Sequence, residues 1–522
     1  MALSVEYVQD VLKGHSDRNA MDDRYELYRR SYVGGAEYAS GNYLIRHSQE
    51  GKRDYARRVK EAVYTNYSAP IVDVLSAYLF REKPQRAFGA GADTNKAMEA
   101  FSDNADMRGR SLPVVMRETS KWASVFGFMG VIVDKPLAPD AVNRAQELEL
   151  GVRPYITQYS PQHIVNWKFE TNYVGPALLS ELVLREKELD ESVEVFRIWR
   201  RDSWELWSVA GVNGREQPPE FLEEGINPLG IIPFALIPNK DSFDEMSGIS
   251  DLADIADINK HIYRLDSAAL EIIERTAFPF LEVPIDAMSG RSNDDVIAGT
   301  GNVLERDITD GIGHRWVEPG HASLQRILDW RGQAVLDIRA VAKMGEGSAT
   351  QRQGSAAFSG QALEIKFQQL NAILADKATT MEHAETAIMR LALLWENLDT
   401  TQVAVRYPRK FGIRDVVADL DTAMRAKEII ISPVYDKMVQ RSLASRSLSD
   451  LGYSRDEIDI AEADIEKQPY VPPASKLTAV GGMNGVSVVE TTAAGQIARN
   501  KSIEDGASAN AGSPAASSGV RP

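Results

Sequence analysis

The sequence predicts an α+β protein that is mainly helical, and three observations carry that prediction. Apolar residues recur at three- and four-residue spacing through the first part of the chain, the period of core-facing helices. Between Gly127 and Pro238 the texture changes to short β-branched and aromatic runs divided by turn residues. From Ile249 onward come three long stretches without proline, long enough for helices that run the length of a domain.

Taken in order, helices are expected at Arg53 to Tyr64 and at Ala69 to Phe80, the second carrying Ile71, Val74, Leu75, Tyr78 and Leu79 and closed by Pro84. A third spans Leu112 to Phe126, with Pro113 in its first turn where a missing N–H costs little. Gly130 to Asp134 reads as a strand ending in a turn at Lys135-Pro136. Val193 to Trp199 and Trp204 to Val209 read as a hairpin turning at Arg200 to Ser203. Proline and glycine from Gln217 to Pro238 predict irregular structure.

Ile249 to Thr276 is expected as a single helix of roughly 40 Å at 1.5 Å per residue. From Ile258, through Ile262, Leu265, Ala269 and Ile272, its apolar spacing is 4-3-4-3, the repeat of a helix packed lengthwise on neighbours. Phe278 to Gly320 reads as a small insertion with strand pieces at Phe280 to Val283, Asn302 to Arg306 and His314 to Val317. A second long helix, Ser323 to Lys343, follows. Gly345 to Gly360 is too polar and glycine-rich to hold a helix, and a third long helix runs from Gln361 to Leu398. A strand at Val403 to Tyr407 and helices between Ile413 and Lys467 complete the ordered part. The tail beyond Pro472 is expected to be disordered, because Ala, Ser, Gly, Asn and Pro cannot bury enough surface to offset ordering entropy.

At 522 residues the chain is long enough for three or four domain-sized units of about 150 residues. Its 43% hydrophobic and 26% charged content is that of a soluble globular protein with ample core. Acidic residues outnumber basic ones 75 to 59, leaving a net charge of -16. That balance argues against tight wrapping of nucleic acid, which needs clustered cations to displace counterions, but is compatible with DNA sliding past. With no cysteine there is no disulfide, no Cys-based zinc site and no thiol nucleophile. Met1 to Glu6 lack a signal peptide's basic and apolar regions, and Gly230 to Pro238 and Leu391 to Trp395 fall short of the ~20 residues that span a bilayer. A soluble protein without membrane association is expected.

Catalytic motifs are missing from the sequence. There is no P-loop, no third glycine after Gly299-x-Gly301 or Gly345-x-Gly347, no H-E-x-x-H around His383-Ala-Glu385, and no G-x-S-x-G. His314 and His321 form a thin candidate for a shared metal, with ordinary turn histidines as the plain alternative. Asp251, Asp254 and Asp257 sit three apart and are expected to line one side of the first long helix. Such a line suits a solvated acidic face better than a metal site, and an acidic face on a tunnel wall would repel phosphate. No cofactor and no enzymatic activity are expected.

Local phrases point to a family. Gly127-Phe-Met-Gly-Val-Ile-Val-Asp-Lys-Pro136, Arg153-Pro-Tyr-Ile-Thr-Gln-Tyr-Ser-Pro-Gln-His-Ile-Val-Asn-Trp167 and Ser250-Asp-Leu-Ala-Asp-Ile-Ala-Asp-Ile-Asn-Lys-His-Ile-Tyr-Arg-Leu-Asp266 resemble portal proteins of tailed double-stranded DNA bacteriophages, the head-to-tail connectors. So does the order of elements from Gly248 to Leu398, and the resemblance spans Tyr25 to Glu466. It implies a wing over 1–248, a first stem helix over 249–277, a clip over 278–320, a second stem helix over 321–344 and a tunnel loop over 345–360. A long wing helix and strand over 361–412, a helical crown over 413–472 and a flexible tail over 473–522 follow.

The resemblance further implies a homo-oligomeric ring, usually of twelve subunits, at one capsid vertex of the virion, assembled in the host cytoplasm. Double-stranded DNA would pass through it during packaging and ejection without sequence readout. Ser348, Gln351, Arg352 and Gln353 would face that DNA, the plain alternative for Arg352 being a solvent-exposed loop arginine. Arg306, Arg315 and Trp316 would belong to the clip surface that docks terminase and later tail adaptor or head-completion proteins, with major capsid or scaffolding protein as a further partner. Two rival readings stand beside it: another oligomeric phage head or connector protein, and a cytoplasmic enzyme with an unrecognised site.

Overall fold

The computed structural model describes residues 3–88, 91–136, 151–170, 177–186, 193–212, 215–276, 280–284, 303–306, 315–317, 322–343, 360–409, 411, 437–438, 441, 444 and 455–467. The chain divides into two units, Met1–Gly412 and Ile413–Pro522. In the second unit the helix Arg455–Lys467 is described, and Arg441 reaches Glu462 (3.1 Å) and Glu466 (3.4 Å) on it. The expected crown is otherwise outside the described residues, and the tail is wholly so. Among the described residues, no helix is long and apolar enough to cross a membrane.

Among its described residues the first unit mixes helices with four sheets. Its helices are α1 (Val5–Val11), α2 (Ser16–Val33), α3 (Gly35–Ala39), α4 (Lys52–Glu61), α5 (Ser68–Leu79), α6 (Ala92–Asp103), α7 (Leu112–Phe126), α8 (Ile255–Thr276), α9 (Ala322–Val341) and α10 (Gly360–Trp395). The strands run in chain order from β1 (Gln85–Ala87) through β2 (Phe128–Asp134), β3 (Tyr155–Tyr159), β4 (Ile164–Glu170), β5 (Leu178–Arg185), β6 (Val193–Arg200) and β7 (Ser203–Val212). They continue with β8 (Arg215–Glu216), β9 (Glu220–Ile226), β10 (Phe234–Pro238), β11 (Phe280–Pro284), β12 (Val303–Arg306), β13 (Arg315–Val317) and β14 (Ala404–Arg406).

At the centre of the unit lies β2, held antiparallel between β10 and β3. Its run Phe128 to Val133 is buried on both faces, which is why it reads as continuously apolar rather than alternating. α7 lies over it with Leu112, Val115, Met116 and Ala123 inward, and α10 crosses it, sending the Trp395 indole N–H to the Val133 carbonyl at 2.7 Å. The second sheet, β4-β5-β6-β7 with β8 and β9 both paired to β7, packs on α1 through Val8 and Val11 against Val165, Val183, Phe196, Ile198 and Trp207. The hairpin between β6 and β7 turns at Arg201 and Asp202, with Trp199 opposite Trp204.

Two differences from the sequence reading concern the stretch expected to be irregular and the first long helix. Gln217 to Pro238 contains two strands, β9 and β10. Pro238 is tolerated because it closes the last pair of the ladder, opposite Phe128. The helix begins at Ile255, not Ile249, because the backbone before it is tied to the body. Asp251 N–H donates to the Ser124 carbonyl (3.0 Å) and the Asn239 amide donates to the Ile249 carbonyl (2.9 Å), so these groups are satisfied outside any helix.

Candidate functional site: the helix pair and its buried base

The segment entering α8 is clamped to the end of α7. Gly127 has φ +103°, a backbone state that suits glycine, and a Cβ built there would lie 2.3 Å from the Gly248 carbonyl oxygen. A Cβ on Gly248 would in turn lie 2.2 Å from the Gly127 oxygen, so two backbones touch where neither side can carry a side chain. Ser250 Oγ donates to the Val125 carbonyl at 2.5 Å and accepts from Leu252 N–H at 2.9 Å.

Beside this clamp sits a buried charge cluster. Lys377 of α10 points its Nζ at Asp251 Oδ2 (2.5 Å) and Ser124 Oγ (3.0 Å), and also reaches Asn239 Oδ1. Lys240 approaches the other carboxylate oxygen at 2.9 Å. Burial by itself would push the Asp251 carboxyl up; the ammonium charges of Lys377 and Lys240, with their hydrogen bonds, outweigh it and hold it at about 2. Burial lowers Lys377, opposed by the same carboxylate. Four pieces of chain therefore meet at one ion pair: the end of α7, the end of β10, the entry to α8, and α10.

This placement corrects the acidic line. Asp251 is buried and neutralised, and it precedes the helix. Asp257 lies on α8 but pairs with Arg24 of α2 (2.5 Å) and Lys260 (2.8 Å), which hold its carboxyl down against its partial burial. Asp254 alone of the three is exposed. Position 251 was expected on a solvated face because the spacing was extrapolated through a turn.

Above this base α8 and α9 pack together. Asp266 accepts from Arg331 Nε at 2.5 Å, and the His261 ring meets the edge of Trp330 with centroids 6.2 Å apart. On α9, Ala334 and Ile338 are buried. α4 braces α8 from outside: Arg58 is buried between Glu50 (2.8 Å) and Ser267, while Arg57 reaches Glu271 (3.0 Å) and Glu274 (3.3 Å). Even so, Trp330 keeps 65% of its surface exposed, and Leu328, Val341 and Ile273 are exposed as well.

In the chain between the two helices comes the three-stranded sheet β12-β11-β13, with β11 parallel to β12 and antiparallel to β13. It brings three predicted residues to one sheet: Arg306 is registered with Pro284, Arg315 with Glu282 and Trp316 with Leu281. Ser348, Gln351, Arg352 and Gln353 lie outside the described residues, as do His314 and His321. Among the described residues no group of three or more metal-ligating side chains comes together.

A second buried ionic group, which the sequence reading did not find, anchors the far part of α10. Glu385 is fully buried, takes Arg86 Nε at 2.5 Å from β1 and accepts a hydrogen bond from the Tyr407 hydroxyl at 2.5 Å from beyond β14. Burial pushes the Tyr407 phenol well up, and the Glu385 charge adds to that. The one sequence signal was a glutamate on an otherwise apolar stripe of a long helix. Its partners are 299 and 22 residues away, too far for any local pattern to name.

No protein-family model matches the sequence, and no curated protein matches it. Two solved structures that it resembles are a chain of the virion of a native gene transfer agent particle and a chain of the neck of an empty gene transfer agent particle. The first has a TM-score of 0.36 at 9% identity, with 82% of this chain and 97% of that chain covered. The second has a TM-score of 0.36 at 10% identity, with 83% of this chain and 99% of that chain covered.

Proposed function

We propose that the chain is a portal protein of the tailed-phage type, a subunit of a ring whose central channel passes double-stranded DNA. The observation that carries this reading is the helix pair α8 and α9, packed on one another, split by a three-stranded sheet and seated on the body through the Asp251–Lys377 pair. Sequence phrases at 127–136, 153–167 and 250–266 support it.

In this reading α8 and α9 are the stem, the sheet β12-β11-β13 is the clip, and 345–360 is the tunnel loop with Arg352 nearest the phosphates. A heterologous interface repeated around an axis closes the ring. The exposed Trp330 and Leu328 would then pack on the neighbouring copy. Catalysis belongs to a docked motor, and this chain supplies the passage and the docking surface.

The test is sedimentation of the full chain beside a Trp330→Glu/Leu328→Glu variant. The reading expects a large closed assembly that the variant loses while its circular dichroism stays unchanged. An unchanged assembly in the variant, or a monomeric parent protein, overturns it.

A further inference from the structure

The six-stranded sheet has two unlike edges. At β4 the chain covers its own edge: His15 N–H donates to the Val165 carbonyl (2.9 Å), the Asn166 amide donates to the Val11 carbonyl (2.9 Å), and the His15 ring stacks at 4.1 Å on Trp167. At the other side, β8 and β9 both pair with β7, and among the described strands none pairs with the outer edge of β9.

What β9 carries is unusual for an edge that merely faces water. Phe221, Leu222 and Ile226 are exposed, Ile226 at 77%, and they alternate irregularly with the exposed Glu220, Glu223 and Glu224. The register with β7 slips between Leu206 and Trp207, which leaves Leu222 without a residue opposite it. None of the three glutamates has an ion-pair partner among the described residues. A bulge and a row of like charges disfavour pairing of this strand with a second copy of itself, since equal charges would face each other across the ladder. The same charges favour a strand of opposite sign, and the exposed apolar groups supply area for it to cover.

We infer that the outer edge of β9 is a docking edge for an extended basic segment of another protein, in which Lys or Arg alternate with β-branched residues, added as one more strand of the sheet. Main-chain hydrogen bonds would hold the segment and the glutamates would select its charge. This site is separate from the helix pair and does not depend on ring formation.

The test uses the intact full-length protein and two capped synthetic heptapeptides, one alternating lysine with valine and one alternating glutamate with valine. Hydrogen exchange read over residues 220–226, together with fluorescence anisotropy of labelled peptide, reports docking. The lysine peptide is expected to protect 220–226 and to bind more weakly as salt rises. The triple variant Glu220→Lys/Glu223→Lys/Glu224→Lys is expected to lose about tenfold or more in affinity for it, some 1.4 kcal/mol, and to prefer the glutamate peptide. Equal binding of both peptides by the parent protein, or no protection at 220–226, overturns the proposal. So does protection that grows with protein concentration in the absence of peptide, which would assign the edge to a second copy. The protection map of the parent protein decides the matter even if the triple variant does not fold.

Discussion

Lys377 Nζ and Asp251 Oδ2 lie 2.5 Å apart with only 4% and 6% of their side chains exposed, and they join α10 to the entry of α8. A pair so removed from water gains little net stability over an apolar pair of the same shape, because desolvating two charges offsets most of their attraction. Losing Asp251 is different, since the buried Lys377 ammonium is then stranded, whereas losing Lys377 leaves Asp251 with Lys240 at 2.9 Å. Asp251→Asn alone should cost about 3–5 kcal/mol, Lys377→Met alone should cost less, and the double variant should cost less than the sum of the two. Denaturant unfolding of the four proteins measures the coupling; additive losses would show that the pair does not act as a unit.

The same pair sets an acid response. Asp251 is held at about 2, below the ordinary carboxylate value of about 3.9, so the folded state binds its proton less readily than the unfolded chain does. Its contribution is full above about pH 4 and is lost as pH falls through about 2, some 2 kcal/mol in all. Glu26 and Glu50, also held at about 2 by Arg29 and Arg58, titrate in the same range in every variant. The loss of stability between pH 4 and pH 2 should therefore be smaller in Asp251→Asn/Lys377→Met than in the parent. Stability against pH, measured by urea titration at intervals, checks it.

Glycines give a paired test of the clamp. Gly248→Ala drives a methyl into the Gly127 carbonyl and should lower stability by about 1–3 kcal/mol. Gly332→Ala on α9 has nothing within 4 Å of the new methyl and should raise stability by about 0.5–1 kcal/mol through the unfolded chain. Thermal denaturation of both variants beside the parent reads the two signs.

Removing the Tyr407 hydroxyl leaves Glu385 buried with one hydrogen bond fewer. Tyr407→Phe should cost about 1–3 kcal/mol, and Arg86→Met should cost more because it strands a buried carboxylate. Calorimetry of the two variants ranks them; the reverse order would mean that Arg86 is not the charge that stabilises Glu385.

Local periodicity made much of the fold legible. The stretch Leu112–Phe126 is a helix with the bounds its sequence suggests, and Phe128–Asp134 and the Val193–Arg200 hairpin strand follow the same logic. Strands whose apolar faces are shared with charges were not legible. In Glu220–Ile226 four of seven residues are Glu or Gly, and pairing with β7 makes the strand. α1 is only seven residues long, and its Val8 and Val11 gain meaning only against Val165 and Trp207. The aspartate line failed for a related reason. The spacing of Asp251, Asp254 and Asp257 is local information, while Lys377, which decides where Asp251 goes, lies 126 residues further on.

In the portal reading proposed above, copies of this chain close into a ring around a channel. Negative-stain electron microscopy of the purified full-length protein, with particles sorted by rotational symmetry, tests it most directly. The expected particles are rings with a central hole, stalked on one side, of about twelve subunits, closed by a repeated heterologous contact. Discrete monomers or dimers at micromolar concentration in every buffer would contradict it.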